Sequence, residues 1–218
     1  KTSESQEFQG KLTIEKGQVS VVANAGTWKL EELKGKVDFS SYPAMGVDVR
    51  ALYKGKEMTL AGQFNAKGRT GLTLYAQELP AVDLKVFLPE NISLQIVGGS
   101  VKQIEINLVQ EGGKRQWAGE ARFIDVAGEL EGNSLTGVEG RATFANQKVY
   151  LLANGNWKEQ PLRASGTLTL GQGSPVLALQ LESKAFDTRV LGEQLPVQGL
   201  AAFALAISGR GDQPVLDG

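Results

Sequence analysis

Apolar residues recur at every second position along most of this chain, and that period admits little besides β-strands. Leu12 and Ile14, Val47, Val49 and Ala51, Leu72 and Leu74, Leu94 and Ile96, Ile104 and Ile106, Val149 and Leu151, Leu177 and Leu179, and Leu205 and Ile207 are examples. Successive side chains of a strand point to opposite faces, so each run places its apolar residues on one side. The residues between them are mostly Lys, Glu, Gln, Asp, Arg, Ser and Thr, which belong in water. One wet face and one dry face is the antiparallel pattern.

Glycine punctuates the runs. Gly10, Gly17, Gly26, Gly35, Gly55, Gly71, Gly119, Gly128, Gly140, Gly155 and Gly166 are read as breaks, and Gly98-Gly99 and Gly171-x-Gly173 as turns. The expectation is an all-β chain of about sixteen short strands, which at ~4.8 Å spacing would stack to roughly 75 Å. Two phrases interrupt the alternation, Glu78 to Pro89 and Phe186 to Pro196. Each has room for a helical turn or a looped excursion, with length limited by its prolines.

The chain also repeats itself. Leu30-x-x-Leu33-x-Gly35-Lys36-Val37-x-Phe39 resembles Leu135-x-x-Val138-x-Gly140-Arg141-Ala142-x-Phe144, and Phe8-x-Gly10-x-Leu12-x-Ile14 resembles Trp117-x-Gly119-x-Ala121-x-Phe123. Val47, Val49 and Ala51 match Val149, Leu151 and Ala153, Leu60 and Gly62 match Leu162 and Gly166, Leu72 and Leu74 match Leu177 and Leu179, and Leu88-Pro89 matches Leu195-Pro196. We therefore expect one continuous segment over 1–218 holding two related repeats, roughly 8–110 and 117–218. Apolar, Gly and Pro positions repeat and the polar ones between them do not, which suggests selection for a shape and a surface.

Composition narrows the chemistry. The 218 residues include no cysteine, so disulfides, thiolate metal sites and cysteine nucleophiles are out. There is no histidine, the usual acid–base group near neutral pH and the commonest transition-metal ligand. With a net charge of −1, nothing draws the chain to nucleic-acid phosphates. Glu31-Glu32 and the Asp48-x-Arg50 pair lie where water is expected, so they read as a solvated face and not as acid–base machinery. Trp28, Trp117 and Trp157 are scattered without basic interleaving and make no base-stacking platform. Arg210-Gly211-Asp212 reads as a turn and Asn91-Ile92-Ser93 as an accidental glycosylation triplet. No catalytic residue, metal or cofactor is expected, and the chain is read as non-enzymatic. No apolar run is long enough for a membrane helix, and both ends, Lys1-Thr2-Ser3-Glu4 and Leu216-Asp217-Gly218, read as cuts from a longer protein.

The chain ends Leu195-Pro196-Val197-x-Gly199-x-Ala201-x-Phe203-x-Leu205-x-Ile207-Ser208-Gly209-x-x-x-x-Pro214-Val215-Leu216-x-Gly218. This resembles the repeat phrase of the TamB and AsmA-like envelope proteins of double-membraned bacteria, with Arg210 where threonine is usual. The resemblance implies an elongated antiparallel sheet curved into a U-shaped trough, the β-taco, with an apolar interior. It implies the periplasm, in a protein anchored to the inner membrane. It implies carriage of phospholipid acyl chains between the two membranes, or assembly of outer-membrane proteins beside a BamA-like barrel by β-augmentation, with neighbouring repeats of the same chain as partners. A purely structural β module is the third reading, since such a face ordinarily becomes a sandwich or barrel core. For the trough, the expected groove residues are Leu12, Ile14, Val47, Val49, Leu60, Leu72, Leu74, Leu94, Ile96, Ile104, Ile106, Val149, Leu151, Leu168, Leu177, Leu179, Leu205 and Ile207.

Overall fold

The computed structural model describes residues 9–23, 26–83, 94–130, 132–169, 174–191, 198–211 and 213–218. Among these the chain is all-β, with fourteen strands and no α-helix. The strands are β1 (Lys11–Ile14), β2 (Val19–Ala23), β3 (Gly26–Ser41), β4 (Ala44–Tyr53), β5 (Lys56–Asn65), β6 (Thr70–Pro80), β7 (Leu94–Glu111), β8 (Lys114–Leu130), β9 (Asn133–Ala145), β10 (Lys148–Trp157), β11 (Gln160–Thr169), β12 (Val176–Asp187), β13 (Leu200–Arg210) and β14 (Gln213–Asp217). Thirteen follow one another in a single open sheet, β1-β3-β4 and then in sequence order to β14, while β2 pairs with β3 beside β1.

The expectation of about sixteen short strands needs correcting, and the glycines explain why. Gly35, Gly119, Gly128, Gly140, Gly155 and Gly166 lie inside strands instead of ending them. So do Gly98 and Gly99, which belong to β7 and not to the turn expected there. These glycines admit a close neighbour. A methyl group on Gly166 would stand 2.1 Å from the Ala178 carbonyl oxygen, and one on Gly99 would stand 2.4 Å from Cα of Val126. A strand can bend or bulge at such a point without stopping, so β3, β7 and β8 run to 16, 18 and 17 residues.

The two irregular phrases are only partly described. Glu78 to Pro80 finish β6, and residues 81–83 are 3-10 in conformation. Phe186 and Asp187 finish β12, and Thr188–Leu191 form a 3-10 turn. The Asn91-Ile92-Ser93 triplet, the Gly171-x-Gly173 turn, Phe8, Leu88-Pro89, Leu195-Pro196 and Asp212 lie outside the described residues.

The chain divides into two compact units. The first comprises 1–78 with the 103–119 tip of the β7–β8 hairpin, and the second comprises 79–102 and 120–218. The same hairpin grammar recurs in both. β4 and β5 are joined by Lys54-Gly55, and β10 and β11 by Lys158-Glu159, with φ of 49° and 77° and of 50° and 64°. Positive φ at both central residues is the form of a type I′ turn, whose twist matches that of the strands it joins. Aligned on these turns, Val47, Val49 and Ala51 correspond to Leu151, Ala153 and Gly155. Leu60 and Gly62 correspond to Ala164 and Gly166 by the same alignment. The sequence match of Val47 with Val149 is two residues short of this alignment. A strict period of two makes every even shift look equally good, and only the turn selects one.

Candidate functional site

Cross-strand register decides which side chains share a face, because directly opposed residues of an antiparallel ladder point the same way. In the first unit one row runs Leu12, Val37, Val47, Gly62, Leu72, and the next runs Ile14, Gly35, Val49, Leu60, Leu74. A third holds Ala51, Met58 and Ala76. Seven of the expected groove residues thus occupy two adjacent rows of one face.

The second unit builds the same pattern. One row runs Phe144, Val149, Leu168, Leu177, Gly209, the next Ala142, Leu151, Gly166, Leu179, Ile207, and a third Gly140, Ala153, Ala164, Leu181, Leu205. Seven more expected residues fall in these rows. Each row mixes large aliphatic side chains with at least one Gly or Ala.

The remaining four expected residues lie on β7. Leu94, Ile96, Ile104 and Ile106 keep one parity although two irregular points, Gly99 (φ 91°) and Gln103 (φ 51°), separate the pairs. Each irregular point moves the buried position by one, from Gly98 to Val101 and then to Ile104, so the two shifts cancel. Ile106 is confirmed on the apolar side by its neighbour. Asn107 accepts a 2.6 Å hydrogen bond from the Thr73 hydroxyl, and Thr73 sits in the wet row between Leu72 and Leu74.

What distinguishes this face from a sandwich core is its exposure. Of the eighteen expected residues only Ile104 is buried, at 6%, and sixteen are half-buried. Leu12, on a strand of four residues near the sheet edge, is 52% exposed. A concavity of about 560 Å³ lies along β11–β14; Leu179, Leu205 and Ile207 of the apolar rows line it together with residues of the other parity, Ser165, Gln180 and Ser208 among them.

The opposite face is polar. In the first unit it carries Lys36, Asp48, Ala61 and Thr73 in one row and Lys34, Arg50, Thr59 and Tyr75 in the next. Glu31, Glu32 and Asp48 are exposed. Among the described residues no group of three acidic or histidine side chains could hold a metal ion, and no helix is long and apolar enough to cross a membrane.

Sequence reasoning missed the aromatic groups that stand beside the two I′ turns. In the first unit Trp28 stacks on Tyr53 with ring centroids 4.8 Å apart. In the second, Trp157 stacks on Phe186 at 6.2 Å, and Phe186 meets Phe203 edge-on at 5.3 Å. Tyr53 and Trp157 each precede the lysine that opens the turn, and that lysine lies over the ring, at 5.4 and 4.9 Å. The repeated aromatic-Lys pair, 104 residues apart, was visible in the sequence as a signal. Left out of the expected lining, although Ala51 and Ala153 belong to the alternating runs read from sequence, are Ala51, Met58, Ala76, Ala142 and Ala153, all buried on its parity.

No family model, no curated protein and no solved structure matches this chain.

Proposed function

We propose that each unit's apolar face is the inner wall of a trough that shelters acyl chains of phospholipids, in a non-enzymatic, periplasmic segment of a TamB or AsmA-like protein. The observation that carries this reading is the half-open state of the aliphatic rows. A face of Leu, Val and Ile that is neither sealed nor polar costs free energy in water, and a hydrocarbon guest removes that cost. An acyl chain of sixteen carbons is unfavourable in water by roughly 12 kcal/mol, at about 0.8 kcal/mol per methylene. Interleaved aliphatic and small side chains accept such a chain without fixing its length. No proton transfer or nucleophile is needed, which suits a chain without histidine or cysteine.

The test is native mass spectrometry of the chain after expression in a lipid-containing host. Phospholipid adducts are expected. Leu74→Asp in the first unit and Ile207→Asp in the second should each diminish them, with the β-sheet circular dichroism retained. Lipid-free wild-type protein would sink the proposal.

The rival is assembly of outer-membrane strands by β-augmentation beside a BamA-like barrel. It is favoured by β14, which ends the sheet path with Val215 and Leu216 about 60% exposed (59% and 62%). Under that reading Leu74→Asp leaves activity intact.

A further inference from the structure

On the polar face of the first unit, Lys34 stands directly across from Arg50 in the β3–β4 ladder. Like charges placed opposite each other weaken a sheet pair. Lys36, on the same face, is exposed opposite Asp48. Lys34 leans on Glu32 at 3.6 Å, whereas the side chains of Lys36 and Arg50 take no hydrogen bond or ion pair among the described residues. The three cations border a concavity of about 430 Å³ with Thr13, Glu32 and Glu57, and Ile14, Gly35, Ala51 and Leu52 complete its lining. It opens where the β3–β4 register slips between Glu31 and Lys34 and Glu32 takes a φ of 48°.

The second unit shows that the fold does not require this arrangement. At the places equivalent to Lys34 and Arg50, Glu139 faces Asn154, and where Lys36 faces Asp48, Arg141 faces Leu152. The crowding of positive charge is therefore particular to the first unit. By register the three cations belong to the face opposite the acyl-chain rows, and Ile14, Gly35 and Ala51 of those rows line the same concavity.

We propose that Lys34, Lys36 and Arg50 form a binding site for a phosphoryl anion. The planar guanidinium of Arg50 offers paired donors to two phosphoryl oxygens, and the two ammonium groups add point charges. A bound anion converts the Lys34–Arg50 opposition from a cost into a chelate. Glu32, Glu57 and Asp48 limit the positive field, so the site suits a ligand the size of a diphosphate or a phosphorylated headgroup and disfavours a long polyanion. The phosphoryl group could be free in solution or carried on a lipid surface.

The whole chain is titrated calorimetrically with pyrophosphate at low ionic strength, and in a separate arm sedimented with phosphatidylglycerol vesicles. The comparison is wild type, the Lys34→Gln/Arg50→Gln double variant and Lys11→Gln, which loses an exposed lysine of the same face paired to Asp38 at 3.3 Å. Saturable pyrophosphate binding, at least tenfold weaker in the double variant and unchanged in Lys11→Gln, supports a soluble phosphoryl ligand. Vesicle binding with the same variant pattern and no pyrophosphate binding assigns the site to a headgroup. The double variant should also melt at or above the wild-type temperature without ligand, because it relieves the like-charge pair. No binding in either arm, or equal loss in Lys11→Gln, overturns the proposal.

Discussion

Gly62 and Gly71 sit on neighbouring strands, yet a methyl group would meet different fates at the two. At Gly62, with φ of 133°, it would stand 2.2 Å from the Gly71 carbonyl oxygen, whereas at Gly71 it would meet nothing within 4 Å. Gly62→Ala should lower stability by about 1–3 kcal/mol from backbone strain alone, and Gly71→Ala should change it by less than about 1 kcal/mol in either direction. Urea unfolding of the two variants checks this, and equal midpoints would refute it. At the same scale, the Arg189 guanidinium and backbone N–H hold the Asp187 carboxyl below its ordinary value of 3.8, aided by the nearby positive charge. The guanidinium Nε donates to both carboxylate oxygens, at 2.9 and 3.0 Å. A carboxyl depressed in the folded state adds stability above the unfolded value and loses it as pH falls through the folded one. Arg189→Gln should therefore move the Asp187 midpoint up toward 3.8, as followed by carboxyl NMR, and an unmoved midpoint would contradict the assignment.

At the scale of the element, the two I′ hairpins differ in one residue that matters. Gly55 occupies the second central place in one, and Glu159 the same place in the other with φ of 64°. A side chain in the left-handed region is strained by roughly 1–2 kcal/mol, and glycine returns part of that gain as unfolded-chain entropy. Glu159→Gly is thus expected to stabilise by up to about 1 kcal/mol and Gly55→Glu to destabilise by a similar amount, as read from thermal midpoints. Aromatic residues are buried beside both turns, Tyr53 at 5% and Phe186, which stacks on Trp157, at 3% exposure.

On the scale of the whole molecule, stability comes from a long hydrogen-bonded ladder more than from a sealed core. Amide exchange should be slowest in β4, β5, β10 and β11, which are paired on both sides along most of their length, and fastest in β1 and β14. β14 also carries the plainest hazard of an open sheet, two exposed apolar residues, Val215 and Leu216, set between Pro214 and Asp217. In this chain Val215→Lys should reduce concentration-dependent association in sedimentation velocity, and unchanged association would place the sticky surface elsewhere.

The period of two, read from Val47 and Val49 or Leu177 and Leu179, was sufficient by itself for strands, for one apolar face and for the parity of the expected lining, because a strand's geometry forces alternate side chains apart. The sequence could not tell a glycine that ends a strand from one that lets a neighbour approach, since both need only the missing Cβ. Gly35, Gly99 and Gly166 acquired their meaning from the carbonyls and Cα atoms across the ladder. Register was equally hidden. An even slip preserves every face, so the opposition of Lys34 and Arg50 and the offset between the halves depended on turns and bulges that tertiary pairing alone decides.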